Sequence, residues 1–136
     1  MKVLLIYCRT FGYTPSVRTL EDAEADAEPR AFENVQTAFI QVEKEDEERS
    51  KAVETRLVKN LKWICGKNES REVVLHSFAH LSESKADPAF TREILERVEA
   101  RMTNAGYRVR QTPFGYFLDL RIDAPGFSLA RVFKSI

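Results

Sequence analysis

Val73-Val74-Leu75-His76-Ser77-Phe78-Ala79-His80-Leu81-Ser82 is the stretch on which the reading of this chain turns. Apolar, largely β-branched positions run into a small, polar, histidine-bearing turn, the pattern by which a buried strand delivers a reactive side chain to the rim of a sheet. A second stretch, Thr112-Pro113-Phe114-Gly115-Tyr116-Phe117, repeats the style. It has a rigid proline turn, a glycine that permits close backbone approach, and aromatics on either side. Two such loops can wall one pocket.

Outward from these loops, punctuation and periodicity define the elements. Val3-Leu4-Leu5-Ile6-Tyr7 is continuously apolar and reads as a central strand covered on both faces. Thr10 to Pro15 reads as a turn or short hairpin arm, and the acid-rich Glu21 to Glu28 as a solvated loop or frayed helical turn. Phe32 to Val42 is a long internal strand with Ala38, Ile40 and Val42 on one face and Val35, Thr37 and Phe39 on the other. The acids of Glu43 to Glu48 mark a helix start, Val53, Leu57, Leu61 and Ile64 its buried stripe, and Gly66 its end. A second helix opens on Asp87 as N-cap and Pro88 at its first position, buries Phe90, Ile94, Leu95, Val98 and Met102, and stops at Gly106. Tyr107 to Arg110 is a short strand, Tyr116 to Asp123 alternates as a half-buried antiparallel strand, and Phe127 to Phe133 is the last. The order predicts an α/β (α+β) fold of mixed β-sheet layers with two main helices, parallel only across the helical crossovers.

Composition narrows the functional classes. With 136 residues, 43% of them hydrophobic, the chain is expected to form one domain, residues 1–136, with a real core. Its 21 basic and 21 acidic residues cancel, so no global positive field recruits a nucleic-acid backbone, and any such contact is local. The apolar run Val3 to Cys8 is too short to span a membrane and lacks the cleavage site of a secretory signal, so the expected location is cytoplasmic and no membrane partner is expected. Cys8 and Cys65 read as buried small hydrophobes rather than a disulfide.

His76 and His80 stand four apart, but Ser77 follows the first histidine and the segment reads as a strand, so the helical zinc-hydrolase pattern does not apply and no metal or other cofactor is expected. No serine-nucleophile elbow or nucleotide-phosphate loop occurs. Phe114, Tyr116 and Phe117 read equally as core aromatics or as a base-stacking or pocket wall.

Phe78-Ala79-His80-Leu81-Ser82, followed by Pro113-Phe114-Gly115-Tyr116, resembles the N-terminal editing domain of archaeal threonyl-tRNA synthetases, which has the D-aminoacyl-tRNA deacylase fold. The opening Lys2-Val3-Leu4-Leu5-Ile6 and the strand Ala38-Phe39-Ile40-Gln41-Val42-Glu43-Lys44 extend the resemblance over nearly the whole chain. It implies metal-independent proofreading of serine wrongly attached to tRNA(Thr), at the 3′-terminal adenosine. The physical need is clear: serine lacks only threonine's methyl, and a site built for the larger residue gains only about 1–3 kcal/mol against the smaller. Carried over by position, the substrate pocket is Val42, Phe78, Ala79 and His80, closed opposite by Pro113, Phe114, Gly115, Tyr116 and Phe117. The catalytic set is His80 with the backbone amides of Phe117 and Leu118, and His80 is expected to shape the pocket more than to act as general base.

Departures accompany the match. The family carries a tyrosine and a lysine directly after the PFGY core, where this chain has Phe117 and Leu118, and a GHPLAE-like run where this chain has Gly126-Phe127-Ser128-Leu129-Ala130-Arg131. Two readings follow: an active deacylase that relies on backbone groups and the adenosine 2′-hydroxyl, or a catalytically degenerate domain that docks tRNA or supports a larger synthetase. The resemblance further implies a homodimer, and the aminoacylation domain of the synthetase as a second partner. A monomer at micromolar concentration in sedimentation would contradict the dimer.

Overall fold

In the computed structural model, which describes residues 1–136, β1 (Lys2–Arg18) is the strand around which the sheet is built. One flank pairs antiparallel with β2 (Arg30–Gln41). The other flank is shared end to end: β6 (Arg131–Ser135) pairs along Lys2 to Ile6, and β5 (Tyr116–Asp123) along Thr10 to Arg18. Beyond β2 the chain crosses through α1 (Ser50–Lys67) to β3 (Glu72–Ser77), and through α2 (Pro88–Asn104) to β4 (Arg108–Gln111). Both crossovers return parallel, giving the order β4-β3-β2-β1-β5 with β6 also on β1. The expected class, element order and restriction of parallel pairing to the crossovers are all present.

The two predicted faces of β2 organise two cores. Ala38, Ile40 and Val42 meet the apolar stripes of α1 and α2, including Leu57, Leu61, Ile94 and Val98, in the larger one. Burying such a side chain stabilises by about 1.5–3 kcal/mol. Val35 and Phe39, with Cys8, Phe11, Tyr13 and Val74, form the smaller core on the opposite face, to which neither helix contributes. Cys8 and Cys65 therefore lie on opposite sides of the sheet, and burial pushes their thiols up to about 11 and about 12.

Four sequence expectations shift. Thr10 to Pro15 is not a turn but the continuation of β1. Inward positions pass from Leu4, Ile6 and Cys8 to Phe11 and Tyr13 on the same face, opposite Asn34 with its φ of 51°, so the apolar period slips phase and mimics a break. Pro15 falls beyond Tyr13, where β1 pairs with β5 alone, a place where a strand tolerates proline. The acids after Glu43 form a separate 3₁₀ turn, Lys44–Glu48, ahead of α1. Its Asp46 is fully buried and binds the Met1 ammonium at 3.0 Å and Arg49 at 3.1 Å. Gly66 lies within α1, and the left-handed residue beyond that helix is Glu69, φ 52°. The last strand starts at Arg131 because Ser128–Ala130 makes one 3₁₀ turn first.

Candidate functional site

β3 ends at Ser77 and the chain turns at once through Phe78-Ala79-His80, at the edge of the smaller core. The Phe78 amide donates to the Ile40 carbonyl at 2.9 Å, prolonging the β2–β3 register by one bond. The loop beyond is held by one side chain: Gln41 Oε1 accepts from the Leu81 and Ser82 amides at 2.6 and 2.7 Å, and its Nε2 donates to the Ser82 and Ser84 carbonyls at 2.8 and 2.9 Å. All of that amide's bonding capacity is spent on fixing the loop. The Ala79 and His80 amides, by contrast, donate to no group of the protein.

The second loop approaches from β4. Thr112 donates its amide to the Leu75 carbonyl at 3.0 Å, and its hydroxyl lies 2.9 Å from His76 Nδ1. Gly115 has φ +87°, a conformation that disfavours other residues, and a Cβ there would come within 2.9 Å of Ala23 and 3.1 Å of Leu20. That closeness lets the loop after β1 fold over the site. The Thr19 amide donates to the Gly115 carbonyl at 2.7 Å, the Tyr116 hydroxyl to the Glu24 carbonyl at 2.6 Å, and Arg92 on α2 pairs with Asp22 at 3.2 Å while lying over the Phe114 ring. The acid-rich segment is thus a tethered flap, a role its composition does not reveal.

Between the loops lies a hollow of about 370 Å³. Phe78, Ala79 and His80 line one side, and Pro113, Phe114, Gly115, Tyr116, Phe117 and Leu118 the other. The structure thereby brings together the residues expected from the two loops. Val42 does not reach this hollow; it lines an adjoining one of about 150 Å³, which shares Ser77, Ala79, Lys85, Pro88 and Phe114 with the first. None of Gly126 to Arg131 lines either. Phe117 and Leu118 belong to β5, opposite Val17 and Pro15 of β1, and both line the hollow, while the Ala79 and His80 amides lie in the turn on its other side. Thr19, Leu20 and Lys85 are lining residues that the sequence did not announce.

The two histidines differ. His76 is buried, its ring packed edge-on against Phe39 at 4.9 Å and near Phe78 at 5.6 Å. Burial first, and the neighbouring His80 second, push it down to about 4, so it is neutral at physiological pH. It is the hydrogen-bonded structural histidine of the pair. His80 is exposed on the turn, 4.9 Å from the Phe78 ring. No Asp or Glu lines either hollow.

Comparison with known proteins gives a consistent family. The one described as the archaea-specific editing domain of threonyl-tRNA synthetase matches residues 1–136. Similar relatives include threonine–tRNA ligases of Thermococcus onnurineus and Pyrococcus horikoshii, each 30% identical, and of Thermofilum pendens, 32% identical. Each match covers 100% of this chain but only 22% of the relative, so the chain spans about a fifth of their length. A solved structure titled c-Myc DNA Unwinding Element Binding Protein superposes with a TM-score of 0.73 at 10% identity, over 100% of this chain and 99% of that one, and shares the fold.

Proposed function

This chain belongs to the archaea-specific editing domains of threonyl-tRNA synthetase, and from that premise we propose that its paired hollows remove serine from mischarged tRNA(Thr). The observation that carries the reading is the division of the site: a roomier hollow walled by aromatics, adjoining a smaller one lined by Val42, Ala79 and Phe114. The larger takes the 3′-terminal adenosine, whose base stacks on an aromatic wall. The smaller takes the amino-acid side chain.

In the proposed chemistry, the oxygen of a water molecule bonds to the ester carbonyl carbon while the π pair moves onto the carbonyl oxygen. Collapse of that intermediate breaks the bond to the adenosine 3′-oxygen, which takes up the proton lost by water, leaving serine and a free 3′-hydroxyl. The amides of Ala79 and His80, which donate to no group of the protein, receive the oxyanion in this reading. The adenosine 2′-hydroxyl, adjacent to the ester and both donor and acceptor, orients the water. The family's lysine and glutamate are not needed for either task, which favours the active enzyme over the degenerate docking domain. tRNA(Thr) and the aminoacylation domain are the partners this reading entails, and pairing of two copies would cover the sheet face that the helices leave open.

Selectivity gives the test. The wild-type chain is expected to hydrolyse seryl-tRNA(Thr) faster than threonyl-tRNA(Thr) in single turnover, because threonine's methyl collides with the wall that includes Val42. Val42→Ala opens that wall by two methyl groups and should narrow the preference by about 10- to 200-fold, chiefly by speeding the threonyl substrate. Equal rates on both substrates for the wild type, or an unchanged ratio in the variant, would reject the proofreading assignment.

A further inference from the structure

Lys85 is the only lysine, arginine or carboxylate side chain lining either hollow, and it lines both. Its backbone is fixed on each side: the Ser84 carbonyl accepts from Gln41 at 2.9 Å, and the Ala86 amide donates to the Val42 carbonyl at 3.0 Å. Ser84 is held further by its hydroxyl, which receives the Lys44 amide at 3.0 Å and donates to Glu45 at 2.9 Å. Its ammonium nevertheless enters none of the chain's ion pairs, while the nearby Lys44 is taken up by Glu47 at 3.2 Å and Asp87 at 3.7 Å. An anchored backbone that carries an uncommitted cation to the junction of two hollows is what a site needs when negative charge develops at that junction.

We propose that the Lys85 ammonium contacts the ester carbonyl oxygen of the bound aminoacyl-adenosine and stabilises the charge that grows there during hydrolysis. This rests on the editing reading above, which places the adenosine in one hollow and the amino acid in the other, with the ester between them. Lys85 then acts beside the backbone amides of Ala79 and His80, and adds a full positive charge to those dipoles. Such a contact strengthens as the carbonyl becomes an oxyanion, so its effect falls on the rate constant rather than on binding. A lysine holding a phosphate of the tRNA end would do the reverse, weakening affinity when removed and lowering the salt slope by about one.

The test is single-turnover hydrolysis of seryl-tRNA(Thr), with binding measured separately, by the wild-type chain, Lys85→Met and Lys85→Arg. Lys85→Met is expected to lose about 10²–10³-fold in rate constant with binding nearly unchanged, and Lys85→Arg, which keeps the charge, to recover part of the loss. Folding of each variant is checked by its thermal midpoint, which an exposed side chain without an ion pair should not move. A Lys85→Met rate equal to wild type overturns the proposal and leaves the editing reading standing, as does a loss confined to affinity. A wild-type chain that hydrolyses no seryl-tRNA overturns both.

Discussion

Replacing the terminal adenosine of seryl-tRNA(Thr) by 2′-deoxyadenosine should lower the single-turnover hydrolysis rate by orders of magnitude while leaving affinity almost unchanged. No carboxylate lines either hollow. His76 is buried, engaged with Thr112 and held near 4, too weak a base to take a proton from water at neutral pH. The Tyr116 hydroxyl is spent on the Glu24 carbonyl. The 2′-hydroxyl arrives with the substrate, beside the ester, without any ordering cost beyond that of binding the ribose, and well-oriented groups of this kind are worth about 7–11 kcal/mol of barrier at their best. His80 is the remaining protein alternative, and the experiment separates the two. A deoxy substrate cleaved at the normal rate would remove the substrate-assisted mechanism and leave His80 as the candidate base.

Acid should destabilise the fold through His76 at a higher pH than through Glu43 or Glu54. The unfolded imidazole takes a proton at its ordinary value of 6.5, the folded one only near 4, so between these values the unfolded state binds more protons and stability falls as pH falls. The neutral, Thr112-bonded form is therefore worth most above pH 6.5, and its contribution disappears as pH drops toward 4. At 1.36 kcal/mol per pH unit the whole window amounts to roughly 3 kcal/mol. Glu43 and Glu54 act lower. Burial alone would raise both carboxyls, but hydrogen bonds from the Met1 ammonium and Ser82, and from Arg97 and Arg101, hold them below their ordinary 4.5, so their contributions fade only beneath that value. Denaturant unfolding between pH 7 and 4.5 should show the loss in the wild type and a nearly flat profile in His76→Gln. Should the variant not fold, the His76 imidazole followed by NMR in the wild type should titrate near 4; a midpoint near 6.5 would refute the account.

What the sequence showed and what it hid follow from the range of the interactions involved. The faces of β2, the stripe of α2 and its Pro88 start are local periodicities, and all are where the pattern puts them. The two loops were legible because proline, glycine and small residues state their backbone demands in sequence. Gly115 meets that demand with a positive φ and no room for a side chain. The phase slip in β1 was not legible, since an irregularity opposite Asn34 changes which residues face inward without changing their composition. Asp46 read as one of several acids marking a helix start, yet it is buried against an ammonium 45 residues away in sequence. Lys85 and the flap residues Thr19 and Leu20 reach the site only through tertiary packing, so no spacing rule points to them.

The most direct measurement of the central claim is the structure of this chain bound to seryl-adenosine in which an amide replaces the 3′-ester, a ligand that keeps the 2′-hydroxyl and cannot be hydrolysed. The account predicts adenine against the aromatic wall of the larger hollow, the serine side chain in the smaller one against Val42, Ala79 and Phe114, and the carbonyl oxygen facing the Ala79 and His80 amides. A ligand seated elsewhere, such as along the arginines at the β4 edge, or a serine side chain pointing away from Val42, would contradict it.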